Sequence, residues 1–272
     1  MNTLDQFKLD GAIAIITGGA GLLGIKHGLA IAEAGGIPLL VDIEKGRLDT
    51  IKTEYSEYPL EIYPCDITNA SQLHKLREYI QQRFGKLDIL VNNAALNPKV
   101  ESAQAFEQSR LETYPLQSYE KELSVGLTGA FLCTQIFGTY LASLGKGVIL
   151  NIASDLGVIA PNQSLYKKEG VEDHLQSVKP VTYSIIKHGL IGLTRYTATY
   201  WADKGVRCNA LAPGGVENGQ NEQFLSKIRE LIPMGRMAQP DEYMAAVVFM
   251  VSDASSYMNG AVLNMDGGRT CW

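Results

Sequence analysis

Tyr183 and Lys187 stand four residues apart in the stretch YSIIK. On a helix that spacing puts both side chains on one face. A free phenol, with a pKa of about 10, is a poor base at neutral pH. A nearby ammonium favours the phenolate and lowers that value. A tyrosine tuned this way passes a proton to or from an alcohol oxygen while a nicotinamide takes or gives the hydride. On its own such a pair is usually an ordinary helix face, and only a cofactor site beside it would turn it to catalysis.

A candidate for that site is TGGAGLLG, residues 17–24. It reads G-x-G-x-x-G on Gly19, Gly21 and Gly24, and T-G-x-x-G-x-x-G on Gly18, Gly21 and Gly24. Thr17 ends an apolar run and Leu22 opens a helical one, so the glycines fall on a strand-to-helix turn. There the backbone approaches a pyrophosphate closely, and the helix N-terminus offers free N–H groups and a positive dipole end. Asp42 closes the second apolar run, at about the distance where an acid accepts from the adenosine ribose hydroxyls. A carboxylate there repels a 2′-phosphate, and the next residue is Ile43 rather than Arg, which favours NAD over NADP. The plain alternative for Asp42 is a helix N-cap.

Short apolar runs alternate with longer amphipathic stretches along the whole chain. Residues 12–17, 37–42, 60–65, 87–92, 147–153, 206–212 and 261–265 read as strands, most of them rich in Val, Ile and Leu. Helical patterns lie near 22–35, 45–57, 69–84, 118–144, 182–203, 221–231 and 240–252. Such alternation predicts an α/β fold: a Rossmann-like, doubly wound parallel sheet with helices on both faces. Neither a linker nor a composition break divides it, so residues 1–272 form one domain. Two polar segments, 97–118 and 157–180, are long for α/β connections and follow strands on the ligand side.

Bulk properties exclude several classes. A net charge of -5 is wrong for a general nucleic-acid binder. Cys65, Cys133, Cys208 and Cys271 are scattered, and the four histidines form no H-x-x-x-H pair, so neither disulfides nor a metal site is expected. The N-terminus lacks the marks of a signal peptide, and no apolar run approaches bilayer length, which predicts a cytoplasmic protein without a membrane role.

Taken together, TGGAGLLG, VDIEKGR, CDI (65–67), LVNNAA (90–95), NIASDLG (151–157), YSIIK (183–187), APGGV (212–216) and NMDGG (264–268) resemble the short-chain dehydrogenase/reductase family, from about Gly11 to Gly268. The resemblance implies an oxidoreductase acting on an alcohol or ketone. It makes Tyr183 the general acid/base, with Lys187 lowering its pKa and holding the nicotinamide ribose, and Ser154 hydrogen-bonding the substrate oxygen. It also implies cofactor contacts at Gly18, Gly21, Leu22, Leu23 and Gly24. Asp66 and Ile67 would flank the adenine, Asn92 and Ala94 would line the cleft, and Pro213, Gly214 and Val216 would cover the nicotinamide. Relatives commonly form dimers or tetramers through helices that correspond here to 118–144 and 182–203, although Phe131, Ile136, Phe137, Leu190 and Trp201 could equally be core.

Three features depart from the family pattern. Position 22 is Leu where short members usually carry Gly, and the glycine stands at 21, as in the sugar-nucleotide-modifying branch. Gly126 occupies the place of the family's catalytic Asn, which usually anchors a water in the proton relay. The insertion 157–180 lengthens the interval between Ser154 and Tyr183. With 97–118 and 217–234 it should roof the substrate pocket in polar side chains, which suits a sugar or polyol better than a steroid or acyl chain. Lys167, Lys168 and Arg110 could serve a phosphate on such a substrate. Loop character and the DGGRTCW ending are similar to oxidoreductases of flagellin modification and surface-sugar biosynthesis. Two competing expectations remain: a dehydratase or epimerase that uses NAD transiently, and a catalytically weak NAD-binding partner subunit.

Overall fold

A computed structural model describes residues 2–96 and 109–272. Seven strands form one sheet: β1 (Ile13–Thr17), β2 (Ile37–Asp42), β3 (Glu61–Pro64), β4 (Ile89–Asn92), β5 (Gly147–Ile152), β6 (Val206–Pro213) and β7 (Val262–Met265). Their order is β3-β2-β1-β4-β5-β6-β7, and every pairing is parallel. All seven apolar runs read from the sequence are strands. The inner ones are buried along their length, and the edges β3 and β7 are partly exposed. That is why the inner runs carry no polar alternation.

Among the described residues, seven helices lie between the strands: α1 (Leu22–Glu33), α2 (Lys45–Glu54), α3 (Ala70–Phe84), α4 (Leu116–Leu144), α5 (Val181–Tyr200), α6 (Glu222–Glu230) and α7 (Met244–Val251). On one face, Leu29 and Ile31 of α1 and Val247 and Met250 of α7 pack with Ile16, Leu40 and Val91. On the other, Leu73, Leu76 and Ile80 of α3 and Ile136, Phe137 and Leu141 of α4 pack with Ile15, Leu39 and Ile149. Strand order reverses between β1 and β4, which opens a crevice at their carboxyl ends.

The long helix α4 corrects one expectation. Among the described residues it is long and apolar enough, by length and composition, to cross a membrane. Half of its apolar window is nevertheless buried against the sheet, as in a core helix. Ile136, Phe137 and Leu190 belong to the interior, and Trp201 packs beside them on Gly138, whereas Phe131 faces outward. Within α4, Ser124–Gly129 and Thr134–Gly138 wind as π-helix.

Asn92 and Asn151 are register partners on β4 and β5. Asn92 Nδ2 donates to Asn151 Oδ1 at 2.8 Å and to Thr134 Oγ1 of α4 at 3.1 Å. Asn151 Nδ2 donates to Thr194 Oγ1 of α5 at 2.8 Å. Buried amides need such partners, and here they peg both long helices to the middle of the sheet.

His27 of α1 is fully buried, and neither ring nitrogen has a hydrogen-bond partner among the described residues. Burial pushes its pKa down to about 4. The unfolded chain therefore takes up a proton that the folded one refuses between about pH 6.5 and pH 4. Stability falls as pH drops through that window, by about 2 kcal/mol between pH 7.5 and pH 5 from this group alone. Urea unfolding of wild type and His27→Leu at the two pH values should show the loss only in wild type.

Candidate active site

The turn after β1 is built on close backbone approach. Gly18 has a φ of +63°, and a Cβ there would lie 2.8 Å from Ala94 Cα. A Cβ on Gly24 would collide with the Gly18 carbonyl oxygen, so α1 begins directly against the turn. No side chain caps α1 at Gly21. Asp42 Oδ2 accepts from the Ala20 N–H at 3.1 Å and Oδ1 from the Glu44 N–H at 3.1 Å, tying the end of β2 to the glycine turn. Asp42 is not the N-cap of α2, whose cap position is Glu44 with no side-chain bond, and it faces the crevice.

A cavity of about 590 Å³ runs from this turn to α5. Its wall includes Gly18, Gly21, Leu22, Leu23, Asp42, Ala94, Ser154, Tyr183, Lys187, Pro213, Gly214 and Val216. Those predicted residues, up to 198 positions apart in sequence (216 − 18), are therefore brought together. Gly24, Asp66, Ile67 and Asn92 are not on that wall. Gly24 serves the turn from behind. Ile67 is buried under Gly129, and Asp66 accepts from Thr68 N–H and hydroxyl at 2.9 and 2.7 Å. The expectation that Asn92 lines the cleft is corrected: its amide points to α4 and β5. Its neighbour Asn93 lines the cleft instead, donating to the Thr17 and Gly18 carbonyls at 3.0 and 3.2 Å. Alternation along a strand puts consecutive residues on opposite faces, so the NN of LVNNAA offered a signal for Asn93.

Ser154 follows β5 on a loop that packs tightly on α5, since a Cβ on Gly157 would lie 2.8 Å from the Lys187 carbonyl oxygen. Lys187 is buried and donates from Nζ to the Ile152 carbonyl at 2.8 Å. Burial, then the like charge of Lys179, pushes its pKa down to about 8. Its ammonium is 5.7 Å from the Tyr183 ring centre. Lys187 was expected to lower the tyrosine pKa. The structure differs: burial pushes Tyr183 up, a hydrogen bond with Ser154 opposes this, Asp155 adds to it and Arg269 opposes it. Removing the phenolate from water outweighs the charges around it.

Sequence reading missed Asp155 and Arg269. Arg269 Nη1 meets Asp155 Oδ2 at 2.7 Å, both buried, 114 residues apart. Asp155 Oδ1 accepts from the Ser154 hydroxyl and from the Leu156 N–H, each at 2.7 Å. The pair holds the serine in place. Arg110, expected as a phosphate candidate, is tied elsewhere: its guanidinium bonds the Asp173 carbonyl and the Glu112 carboxylate, each at 2.8 Å. Lys167 and Lys168 do line the cavity.

The insertion 157–180 is an ordered wall. Leu165 packs with Leu225, Ile228, Ile232 and Met237, and the Tyr166 and Phe224 rings lie 5.9 Å apart. Of the segment 97–118, residues 97–108 lie outside the described residues; the rest leads into α4. Segment 217–234 contributes Asn218, Gln220, Asn221 and Gln223 to the cavity.

Residues 23–270 match the family model described as Enoyl-(Acyl carrier protein) reductase, and the chain belongs to the short-chain dehydrogenase/reductase family. It is 30% identical over 268 residues to the 3-oxoacyl-[acyl-carrier-protein] reductase FabG of Thermotoga maritima, covering 96% of this chain and 98% of that one. It is 31% identical over 272 residues to the D-threitol dehydrogenase of Mycolicibacterium smegmatis, covering 97% and 95%. Its fold superposes with a TM-score of 0.86 on the crystal structure of a gluconate 5-dehydrogenase from Burkholderia cenocepacia in complex with NADP and tartrate, at 26% identity and full coverage of both chains.

At the family's asparagine position, a Cβ on Gly126 would lie 2.8 Å from Ile186 Cγ2, so Ile186 fills that space. A buried carboxylate sits one turn earlier on α4. Glu122 accepts from the Tyr114 hydroxyl at 2.7 Å and from the Thr182 hydroxyl. Gly126→Asn therefore overpacks the helix contact and costs about 1–3 kcal/mol. Thermal unfolding should show a lower Tm for Gly126→Asn and recovery in the Gly126→Asn/Ile186→Ala double variant. An unchanged Tm in the single variant would show that the space is open.

Proposed function

We propose that the protein is an NAD-dependent dehydrogenase/reductase that interconverts a hydroxyl and a ketone on a sugar-like polyol. One observation carries this reading: Ser154, Tyr183 and Lys187 meet in a single cavity whose wall also carries the amides Asn218, Gln220, Asn221 and Gln223, beside Leu165, Phe224, Ile228 and Met237. The glycine turn fits a dinucleotide, because Gly18, Gly21, Leu22 and Leu23 line the cavity where α1 begins without a side-chain cap. Gly18, Gly21, Leu22 and Leu23 would hold its pyrophosphate, and Asp42 its adenosine ribose. The nicotinamide supplies the hydride acceptor or donor.

Tyr183 passes the proton at its hydroxyl, and Ser154 orients the substrate oxygen. Lys187, anchored on the Ile152 carbonyl, holds the nicotinamide ribose beside them. D-threitol and gluconate, substrates in the names of two relatives, are polar polyhydroxylated molecules, and the amide-lined wall suits that class. The flagellin and surface-sugar pathways suggested by the loops have no counterpart in the names of these relatives.

Asp42 supports NAD over NADP through repulsion of a 2′-phosphate, and the exposed Ile43 adds no cation to attract one. The kcat/KM ratio of NAD to NADP should fall at least tenfold in Asp42→Ser/Ile43→Arg; an unchanged ratio would remove Asp42 from cofactor choice. Nicotinamide absorbance across a polyol panel should show turnover that drops by about 10²–10⁴ in Tyr183→Phe. Product formed without net cofactor reduction would instead support the transient-cofactor reading. Activity indifferent to Tyr183→Phe would support the partner-subunit reading.

A further inference from the structure

We infer that Tyr166 is a specificity-determining residue, whose hydroxyl bonds a substrate hydroxyl other than the one that reacts. This rests on the oxidoreductase reading above and adds to it the group that tells a polyol from a simple alcohol.

The place of the hydroxyl is the first ground. Tyr166 lines the cavity together with Ser154, Tyr183 and Arg269. The charges that act on its hydroxyl are those of Arg269, Tyr183 and Asp155, so it faces the catalytic end of the cavity rather than the glycine turn. Among the described residues, no hydrogen bond engages it. A tyrosine with its ring packed away ordinarily finds such a partner, and here the direction left open is the cavity. Burial pushes its pKa up to about 12, so at neutral pH the group is a neutral phenol that both donates and accepts.

The surroundings of that hydroxyl are the second ground. The Tyr166 ring packs against the cluster of Leu165, Leu225, Ile228, Ile232 and Met237, and lies 5.9 Å from the Phe224 ring. Leu165, Phe224, Ile228 and Met237 share the cavity wall with it. None of their side chains carries a strong hydrogen-bonding group. The hydroxyl is thus the polar tip of an apolar ledge, the kind of placed group that fixes a ligand's orientation. A substrate hydroxyl set against this tip is paired. A methylene in the same place leaves the phenol unpaired, which is how a site that bonds a hydroxyl rejects the analogue without it.

The third ground is that the insertion holds the tyrosine still. Its short turn, Gln163–Tyr166, is capped by Asn162, whose Oδ1 accepts from the Ser164 N–H at 3.0 Å. Lys227 Nζ donates to the Lys167 carbonyl at 2.7 Å. The buried Gln176 accepts from the Lys168 N–H at 2.7 Å and donates to the Lys168 carbonyl at 2.9 Å. The backbone is fixed on both sides of Tyr166 and the ring is packed, so little freedom is lost when its hydroxyl meets a ligand.

The test pairs each polyol with an alcohol that keeps only the C2 hydroxyl: galactitol with hexan-2-ol, and D-threitol with butan-2-ol. Wild type and Tyr166→Phe, both saturated with NAD, are followed by nicotinamide absorbance, and their polyol affinity by calorimetry. Phenylalanine keeps the ring and its packing, so Tm and NAD affinity should not change. The kcat/KM for at least one polyol should fall about tenfold or more in Tyr166→Phe, with its affinity weakened in step. Whatever turnover the simple alcohol supports should stay as in wild type. Unchanged polyol kinetics, or an equal loss with the simple alcohol, overturns the inference while leaving the oxidoreductase reading intact. Polyol affinity that weakens tenfold in the variant, with no cofactor reduced by any of the four alcohols, would sustain the contact and sink that reading. Failure of both polyols to bind wild type overturns the inference.

Discussion

The buried pair of Asp155 and Arg269 is the interaction on which the site depends. Neither charge is stable in the interior without the other. Their union bolts the chain's last turn to the loop that carries Ser154. Asp155 has both oxygens engaged, one by the guanidinium and one by the Ser154 hydroxyl and the Leu156 amide. The serine is thus held from a point 114 residues away in sequence. The same pairing cancels the charges of both partners, so neither adds a net charge to the pocket.

What brings the remaining groups within reach is the sheet. Parallel strands deliver their carboxyl ends to one rim, and the reversal of order between β1 and β4 leaves a crevice there. Packing then decides which side chains face it. Gly18 and Gly24 let the β1 turn nest against Ala94 and against itself, and Gly157 lets the serine loop rest on the backbone of α5. The Asn92–Asn151–Thr194 chain fixes α5 on the sheet, so Tyr183 and Lys187 inherit their positions from a buried amide on β5.

The strands were legible because burial on both faces leaves unbroken Val/Ile/Leu runs, and the glycine turn because close approach tolerates no other residue. Ser154, Tyr183 and Lys187 were legible through motif and spacing. Asn92 was misplaced because a motif names residues without naming the face they point to; the neighbour Asn93 is the one in the crevice. The Asp155–Arg269 pair was invisible because its partners are joined only by the fold, and no local pattern marks a long-range ion pair. Gly126 announced a missing asparagine, but only packing reveals that Ile186 fills its space and that Glu122, a turn away, is a buried carboxylate bonded to Thr182 of α5.

Burial acts on Tyr183 and Lys187 in opposite directions. It raises Tyr183 and lowers Lys187, so both are pushed toward their neutral forms. On the reading proposed above, Tyr183 would therefore exchange its proton directly with an oxygen held by Ser154 instead of resting as a phenolate. A site arranged this way gains more from orienting its substrate than from ionising its base. The segment that breaks the regular α/β rhythm supplies part of the cavity wall, while the regular strands and helices position Tyr183 and Lys187.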